Sequence, residues 1–355
     1  MTTTLPRLRV LVVDDSTVFR RSLVDALSAS DEIEVIATAA NGEEALQAAL
    51  SLRPDVVTLD LEMPKMDGFT FLRILVARQP TAVVVVSSHA SRENVFKALE
   101  LGAVEFVVKP SAHRPVEGSV KDEVLQKVRL MRHLRPVGTR LRATLPSLSE
   151  GRPRPISEPP EPMSTRVRVR FVVTVASSTG GPIALLDIAA RLPERFPGAL
   201  LVAQHMPETF TRTFAERLGR KGPLRFAEVD GPEALEERRG YVSPGNQCLI
   251  VTARGGSDLG VALRPAGNER YVPSGDLLMK TAAECAGPRV IGVVLTGMGD
   301  DGLAGAKAIR DAGGIVIAES EQTAVVNGMP GAVVRAGLAT HVLPLPEIAT
   351  FLAAL

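Results

Sequence analysis

The sequence predicts an α/β protein built from two doubly wound parallel-sheet domains joined by a Pro-rich linker. Three observations lead there. The chain has 355 residues, more than one hydrophobic core usually organises. Short β-branched apolar runs alternate with stretches whose apolar residues recur every three or four positions, in two separate blocks. Between the blocks, residues 135–165 hold seven prolines among Arg and Ser, a composition that cannot bury enough apolar area to offset its ordering entropy. The expected division is a domain at 1–134, a linker at 135–167 and a domain at 168–355.

In the first block, strands are expected at 10–13, 35–38, 56–59, 83–86 and 106–108. Helical patterns at 16–29, 42–50, 68–77 and 91–101 separate them, and a further helix at 121–134 closes the unit. Strands separated by helices imply parallel pairing. In the second block, buried strands are expected at 171–176, 199–204, 290–295, 315–318 and 341–343, with a hairpin excursion over 227–263 where Gly and Pro turns interrupt short runs.

Composition excludes several classes. A formal net charge of +1 gives no basis for nucleic-acid or polyanion binding. Cys248 and Cys285 lack metal-ligand spacing and read as small apolar residues in a reducing compartment. No signal-peptide layout opens the chain, and its apolar runs fall well short of the roughly 20 residues needed to span a bilayer. The expectation is a cytoplasmic protein without membrane insertion.

Two clusters carry chemistry. Asp14 and Asp15 follow the first strand and Asp60 the third, while Ser87 ends the fourth and Lys109 follows the fifth. Side chains at the carboxyl ends of parallel strands converge on one crevice. Three carboxylates there repel one another unless a hard cation neutralises them, and Mg²⁺ suits a few oxygens plus retained waters. A carboxylate flanked by a metal and a lysine is placed to accept a phosphoryl group. One acid at a strand end is more simply a solvent-facing residue; five such positions on four strand ends are not.

In the second block, a strand runs into Ser177-Ser178-Thr179-Gly180-Gly181 and then a helix pattern. The glycines permit a tight turn, and N–H groups at a helix start can receive an oxyanion. A serine there needs a base. His205 ends the next strand on the same sheet edge, whereas His341 begins a strand and lies toward the other edge. Asp300 and Asp301 follow a third strand through Thr296-Gly297-Met298-Gly299. Ser, His and Asp on one edge point to ester or amide hydrolysis, a triad being defined by geometry rather than chain order. Residue types leave open the choice between Ser177 and Ser178, and between Asp300 and Asp301. The bland reading makes the Ser-Thr turn a helix cap and His205 a surface residue. A rival reads Gly297 to Gly302 as G-x-G-x-x-G, with Glu319 binding a ribose. Two carboxylates where a pyrophosphate would approach argue against it.

At this point a resemblance is plain. Residues 8–132, with Asp14-Asp15, Asp60, Met63-Pro64-Lys65-Met66-Asp67-Gly68 and Lys109-Pro110, resemble a response-regulator receiver domain. Residues 169–352 resemble the CheB-type protein-glutamate methylesterase domain. The matching pieces are Ser178-Thr179-Gly180-Gly181, Gln204-His205-Met206-Pro207, Ser243-Pro244-Gly245, Pro273-Ser274, Leu295 to Gly299, Asp301-Gly302 and Gly328-Met329-Pro330. The resemblance implies a flavodoxin-like receiver followed by a Rossmann-like α/β methylesterase domain. It makes Asp60 the phosphoacceptor. Asp14, Asp15, Asp60 and the Glu62 backbone then form the Mg²⁺ site, with Ser87, Lys109 and Phe106 as the switch. It makes Ser178 the nucleophile, His205 the base and Asp301 the orienting acid, with Thr179 and Met298 on the oxyanion side and no cofactor in this domain.

The implied activity is phosphorylation-activated removal of methyl esters from chemoreceptor glutamates, with deamidation of receptor glutamines, in chemotaxis adaptation. Implied partners are methyl-accepting chemoreceptors and a sensor histidine kinase as phosphodonor, the protein itself being a monomer. The alternative is a phosphorylation-switched receptor- or kinase-binding module with weak or no esterase activity. Three departures touch the cleft. Ala176-Ser177 stands where the family usually has Gly-Ala, Cys248 where it has His, and Tyr271-Val272 where it has His-Arg.

Overall fold

A computed structural model describes residues 6–79, 81–87, 92–109, 120–134, 169–255 and 258–355. The predicted linker at 135–167 and Pro110 lie outside them.

The N-terminal domain alternates as expected: β1 (Leu8–Val13), α1 (Thr17–Ser28), β2 (Ile33–Ala39), α2 (Gly42–Leu52), β3 (Val56–Leu59), α3 (Gly68–Arg78), β4 (Ala82–Ser87), α4 (Arg92–Glu100), β5 (Glu105–Val108) and α5 (Val120–Leu130). A 3₁₀ turn, Met131–His133, ends the unit, so the helix expected at 121–134 is α5 plus this turn. Short polar side chains set the helix starts: Ser16 accepts from Phe19 N–H, Asn41 from Glu43 and Glu44 N–H, and Asp67 from Thr70 N–H, satisfying donors that the first turn leaves unpaired. The sheet is parallel in the order β2-β1-β3-β4-β5. Strands β3 and β4 are buried throughout, which is why they read as unbroken apolar runs.

The C-terminal domain contains β6 (Phe171–Ser177), α6 (Gly181–Arg191), β7 (Gly198–Gln204), α7 (Glu208–Lys221), β8 (Arg225–Glu228), β9 (Glu233–Ala234), β10 (Arg239–Val242), β11 (Gln247–Ala253), β12 (Leu259–Pro265), α8 (Gly275–Ala286), β13 (Val290–Val294), α9 (Leu303–Asp311), β14 (Ile315–Glu319), α10 (Met329–Arg335), β15 (His341–Leu343) and α11 (Leu345–Ala353). Seven strands form a parallel sheet in the order β15-β14-β13-β6-β7-β10-β8. The chain leaves β6 toward β7 on one side and later returns to place β13 on the other. That reversal opens a crevice beyond the carboxyl ends of β6, β7 and β13, where open α/β sheets bind ligands.

The excursion expected at 227–263 is divided by the structure. Strands β11 and β12 do form an antiparallel hairpin, which β9 joins. The segments β8 and β10, however, belong to the parallel sheet. Gly240 reads as a turn signal but serves a close approach: a Cβ there would lie 2.1 Å from Cδ1 of Phe226 on the neighbouring strand. Short strands flanked by Gly and Pro carry too little periodicity to show which sheet they join.

The two domains share an apolar core. Phe96 on α4 stacks on Phe214 of α7, with centroids 5.8 Å apart, and Phe106 on β5 packs against Phe210 of α7 at 4.7 Å. Such aromatic pairs add about 0.5–1.5 kcal/mol beyond the area they bury. At the rim, Glu100 receives Arg217 at 3.0 Å and Lys221 at 3.6 Å.

Candidate active site and the acidic crevice

The turn after β6 separates its two serines. Ser177 is the last strand residue and is fully buried, its hydroxyl donating to Gln204 Oε1 at 2.7 Å. Ser178 is partly exposed at the crevice. Its N–H donates to Thr296 O at 3.0 Å, and its carbonyl accepts from Gly181 N–H at 2.8 Å and Gln204 Nε2 at 2.9 Å. Gly180 adopts φ 79° before α6, a left-handed conformation that glycine reaches without steric cost. A Cβ on Gly181 would lie 2.2 Å from Gln204 Oε1, so the second glycine makes room for the amide that holds Ser177.

Register brings His205 to this turn. Ser177 pairs with Gln204 across β6 and β7, so the next residues, Ser178 and His205, stand side by side on strands about 4.8 Å apart. Gln204 Nε2 also donates to His205 O at 3.0 Å, fastening both backbones. His205 Nε2 lies 2.7 Å from Asp301 Oδ2. Asp301 is fully buried yet well satisfied. Its Oδ2 also accepts Gly275 N–H at 2.7 Å; Oδ1 accepts Asp276 N–H at 2.9 Å, Gly302 N–H at 3.2 Å and the Ser274 hydroxyl at 3.4 Å. Several of these donors belong to the start of α8, where the helix dipole favours an anion. A buried carboxylate so provided for stays a stable acceptor for an imidazole N–H.

Asp300 turns outward. Its carboxylate accepts from the Tyr271 hydroxyl at 3.0 Å and from Arg270 at 3.2 Å, while the Tyr271 ring stacks on His205 with centroids 5.1 Å apart and planes 12° apart. Burial first, then the hydrogen bond to Asp300, pushes the Tyr271 phenol up, which keeps it a donor. His341 begins the edge strand β15 and packs on Phe351 at 5.1 Å, away from this crevice. Met298 is exposed at the crevice mouth. Glu319, the acid of the dinucleotide rival, is buried and accepts Thr296 N–H at 2.8 Å. It braces the turn beside Ser178 instead of facing a ribose.

The supporting roles of several residues escaped the sequence reading. Gln204, Ser274 and Glu319 brace the segments that carry Ser178, His205 and Asp301, and Glu105 on β5 reaches across the domain boundary to accept the Thr179 hydroxyl at 2.8 Å. Gln204 had a usable signal, a polar residue closing an otherwise apolar strand. Glu105 had none, because its partner is 74 residues away.

The acidic crevice forms as expected. Asp14, Asp15 and Asp60 place carboxylate oxygens within 4.8 Å of one another. Lys109 Nζ lies 2.9 Å from Asp14 Oδ2 and bonds Asp60 Oδ2. Burial dominates here and pushes the Asp14 and Asp60 carboxyls up, against the pull of Lys109. For Lys109, burial acts downward, but its bonds and attraction to Asp60 and Asp14 outweigh it and raise the ammonium. Asp14 Oδ2 is buried with Lys109 as its ion-pair partner, and Asp60 Oδ1 accepts Glu62 N–H at 3.3 Å. Three carboxylates drawn together in this way carry more negative charge than Lys109 alone can offset, and such an all-oxygen set fits a hard divalent cation such as Mg²⁺. Ser87 and Phe106 are both buried, and Ser87 Oγ lacks a partner among the described residues.

Fold and sites define the class: an α/β protein pairing a receiver-type acidic crevice with a Ser-His-Asp site of hydrolase type. Comparison with known proteins agrees. The family profile "CheB methylesterase" matches residues 173–352, and "Response regulator receiver domain" matches 10–121. The protein-glutamate methylesterase/protein-glutamine glutaminase 3 of Geobacter sulfurreducens is 42% identical, over 96% of this chain and 95% of its own. The corresponding protein 1 of Myxococcus xanthus is also 42% identical, over 98% and 96%. Among solved structures, the Thermotoga maritima CheB methylesterase catalytic domain matches with a TM-score of 0.50 at 37% identity, covering 52% of this chain and 97% of its own. The chain belongs to the CheB methylesterase family, with a receiver domain ahead of the catalytic one. No helix among the described residues is long and apolar enough to cross a membrane.

Proposed function

We propose that the protein is a phosphorylation-activated serine hydrolase that removes methyl esters from chemoreceptor glutamates and deamidates receptor glutamines. One observation carries this reading: the 2.7 Å contact of His205 with buried Asp301, beside Ser178 on the adjoining strand turn. With Nε2 held by Asp301, Nδ1 is the nitrogen that takes the Ser178 proton. Ser178 Oγ attacks the ester carbonyl, and N–H groups at Thr179 and Met298 receive the oxyanion. Collapse breaks the C–O bond, and the imidazolium returns its proton to the leaving methoxide, releasing methanol. Water, deprotonated by His205, then hydrolyses the acyl-enzyme to a glutamate carboxylate and free Ser178. A glutamine side chain follows the same course and releases ammonia.

Control comes from the acidic crevice. Asp60 accepts a phosphoryl group from a sensor histidine kinase. Asp14, Asp15, Asp60 and the Glu62 carbonyl are the residues that would hold Mg²⁺, which when bound offsets their repulsion and the charge on the phosphoryl oxygens. Ser87, whose hydroxyl has no partner among the described residues, and Lys109 are placed to bond that group. Phe106 links the crevice to the domain interface through Phe210, and the next residue back, Glu105, bonds Thr179 beside the nucleophile. Phosphorylation shifts the equilibrium toward a state in which these contacts are released. The protein works as a monomer in the cytoplasm.

The test is methanol release from methylated receptor by the full chain. Ser178→Ala should abolish release and labelling by a serine-directed phosphonylating probe; continued release from the variant would overturn the assignment.

A further inference from the structure

We propose that Tyr271 and Asp300 form a second support for the catalytic imidazole, making Tyr271 a positioning residue of this hydrolase; the inference rests on the reading of His205 as the base. A hydrogen bond at Nε2 fixes one point of the ring and leaves it free to pivot. Transfer from Ser178 requires Nδ1 to be aimed, so a second constraint is needed. The Tyr271 ring supplies it, lying nearly parallel to the imidazole at 12° with centroids 5.1 Å apart. Any pivot of His205 must displace that ring.

Tyr271 is itself tied down. Its hydroxyl bonds Asp300 Oδ1 at 3.0 Å, and Arg270 bonds the same oxygen at 3.2 Å while its guanidinium sits 5.1 Å above the Tyr271 ring. The catalytic turn is shaped around this hydroxyl. Gly299 has φ 88°, and a Cβ there would come within 2.3 Å of Tyr271 Oη. The two adjacent acids therefore serve one imidazole from different directions: Asp301 holds its edge, and Asp300 holds the ring that covers its face. In the transition state the imidazole becomes a cation, which an aromatic face stabilises.

The experiment uses the full chain carrying Tyr271→Leu, Tyr271→Phe, Asp300→Ala and the Tyr271→Leu/Asp300→Ala pair. Two rates are measured: kcat and KM for methanol release from methylated receptor, and the rate at which a fluorophosphonate labels Ser178. A lost stack and a loosened base predict that Tyr271→Leu lowers both kcat and the labelling rate about ten-fold, with KM within about two-fold. Tyr271→Phe keeps the ring and restores most of that loss. Asp300→Ala lowers kcat in the wild-type background and adds nothing in the Leu background, because it acts through Tyr271. Unchanged rates in Tyr271→Leu, a loss confined to KM, a Phe variant as impaired as Leu, or additive effects of the pair would each overturn the proposal. Labelling decides the matter even for a wild-type chain that releases no methanol, an outcome that sinks the esterase reading alone.

Discussion

Replacing Asp301 by Asn keeps the side-chain shape and changes one acceptor into a donor. In the native site, Oδ2 receives His205 and Gly275 N–H, both at 2.7 Å, and Oδ1 receives Asp276 N–H, Gly302 N–H and the Ser274 hydroxyl. An amide NH₂ at the Oδ1 position would confront two backbone donors that cannot turn away. At the Oδ2 position it confronts one, plus a ring nitrogen that can exchange its proton. The amide therefore points its NH₂ at His205, Nε2 becomes the acceptor, and the proton moves to Nδ1, the nitrogen required to receive the Ser178 proton. A base trapped in the wrong tautomer loses on the order of 10⁴-fold in kcat, about 5 kcal/mol. The fold suffers less, because one buried backbone N–H left opposite a donor costs about 1–3 kcal/mol. For a domain of this size that lowers the melting temperature by roughly 2–12 °C. Methanol release at saturating receptor, measured beside a thermal melt, separates the two effects. A variant that folds and retains kcat within ten-fold of wild type would refute the tautomer argument and with it the orienting role of Asp301.

Three further outcomes are expected. Glu105→Ala removes a charge-assisted bond to Thr179 worth about 1.5–3 kcal/mol; basal methanol release should rise several-fold while the phosphodonor-stimulated rate stays level, and an unchanged basal rate counts against the inhibitory contact. Asp60→Asn should abolish stimulation by a small-molecule phosphodonor without lowering basal release, and chelation of divalent cations should do the same in the wild type; stimulation that survives EDTA would remove the metal from the scheme. Tyr241, buried between β7 and β8, has its phenol pushed up to about 12, chiefly by burial. An unfolded tyrosine ionises near 10, so the folded state holds its proton longer, and the stability due to this residue is intact below pH 10. It is lost as pH rises from about 10 to about 12, amounting to roughly 3 kcal/mol. Tyr241→Phe should flatten that part of a chemical-denaturation pH profile; an identical slope in the variant would contradict the assignment.

Local pattern was enough to place most of this molecule. Apolar runs bounded by Gly, Asp and Ser, buried on both faces in the central strands, marked nearly every strand of the two parallel sheets. Because parallel strands end together, the residues after them, Asp14, Asp60, Lys109, Ser178, His205 and Asp301, could be assigned to common edges from order alone. Motif likeness supplied the role expected of each. Strands β8 and β10 stayed hidden, since four-residue segments among turn residues do not reveal which sheet they enter.

Tertiary structure decided what neighbours of the same type would do. Ser177 and Ser178 differ only in which way the pleat and the Gly180 turn aim them, one into Gln204 and the other into the crevice. Asp301 faces the start of α8 and His205, while Asp300 faces Tyr271. Such choices rest on directions that alternate from one residue to the next, and on partners such as Glu105 and Thr179 that lie far apart in the chain. Residue identity and spacing encode which chemical groups reach an edge. Packing across that edge selects which of them face one another, because only there do the long-range hydrogen bonds and ring contacts form.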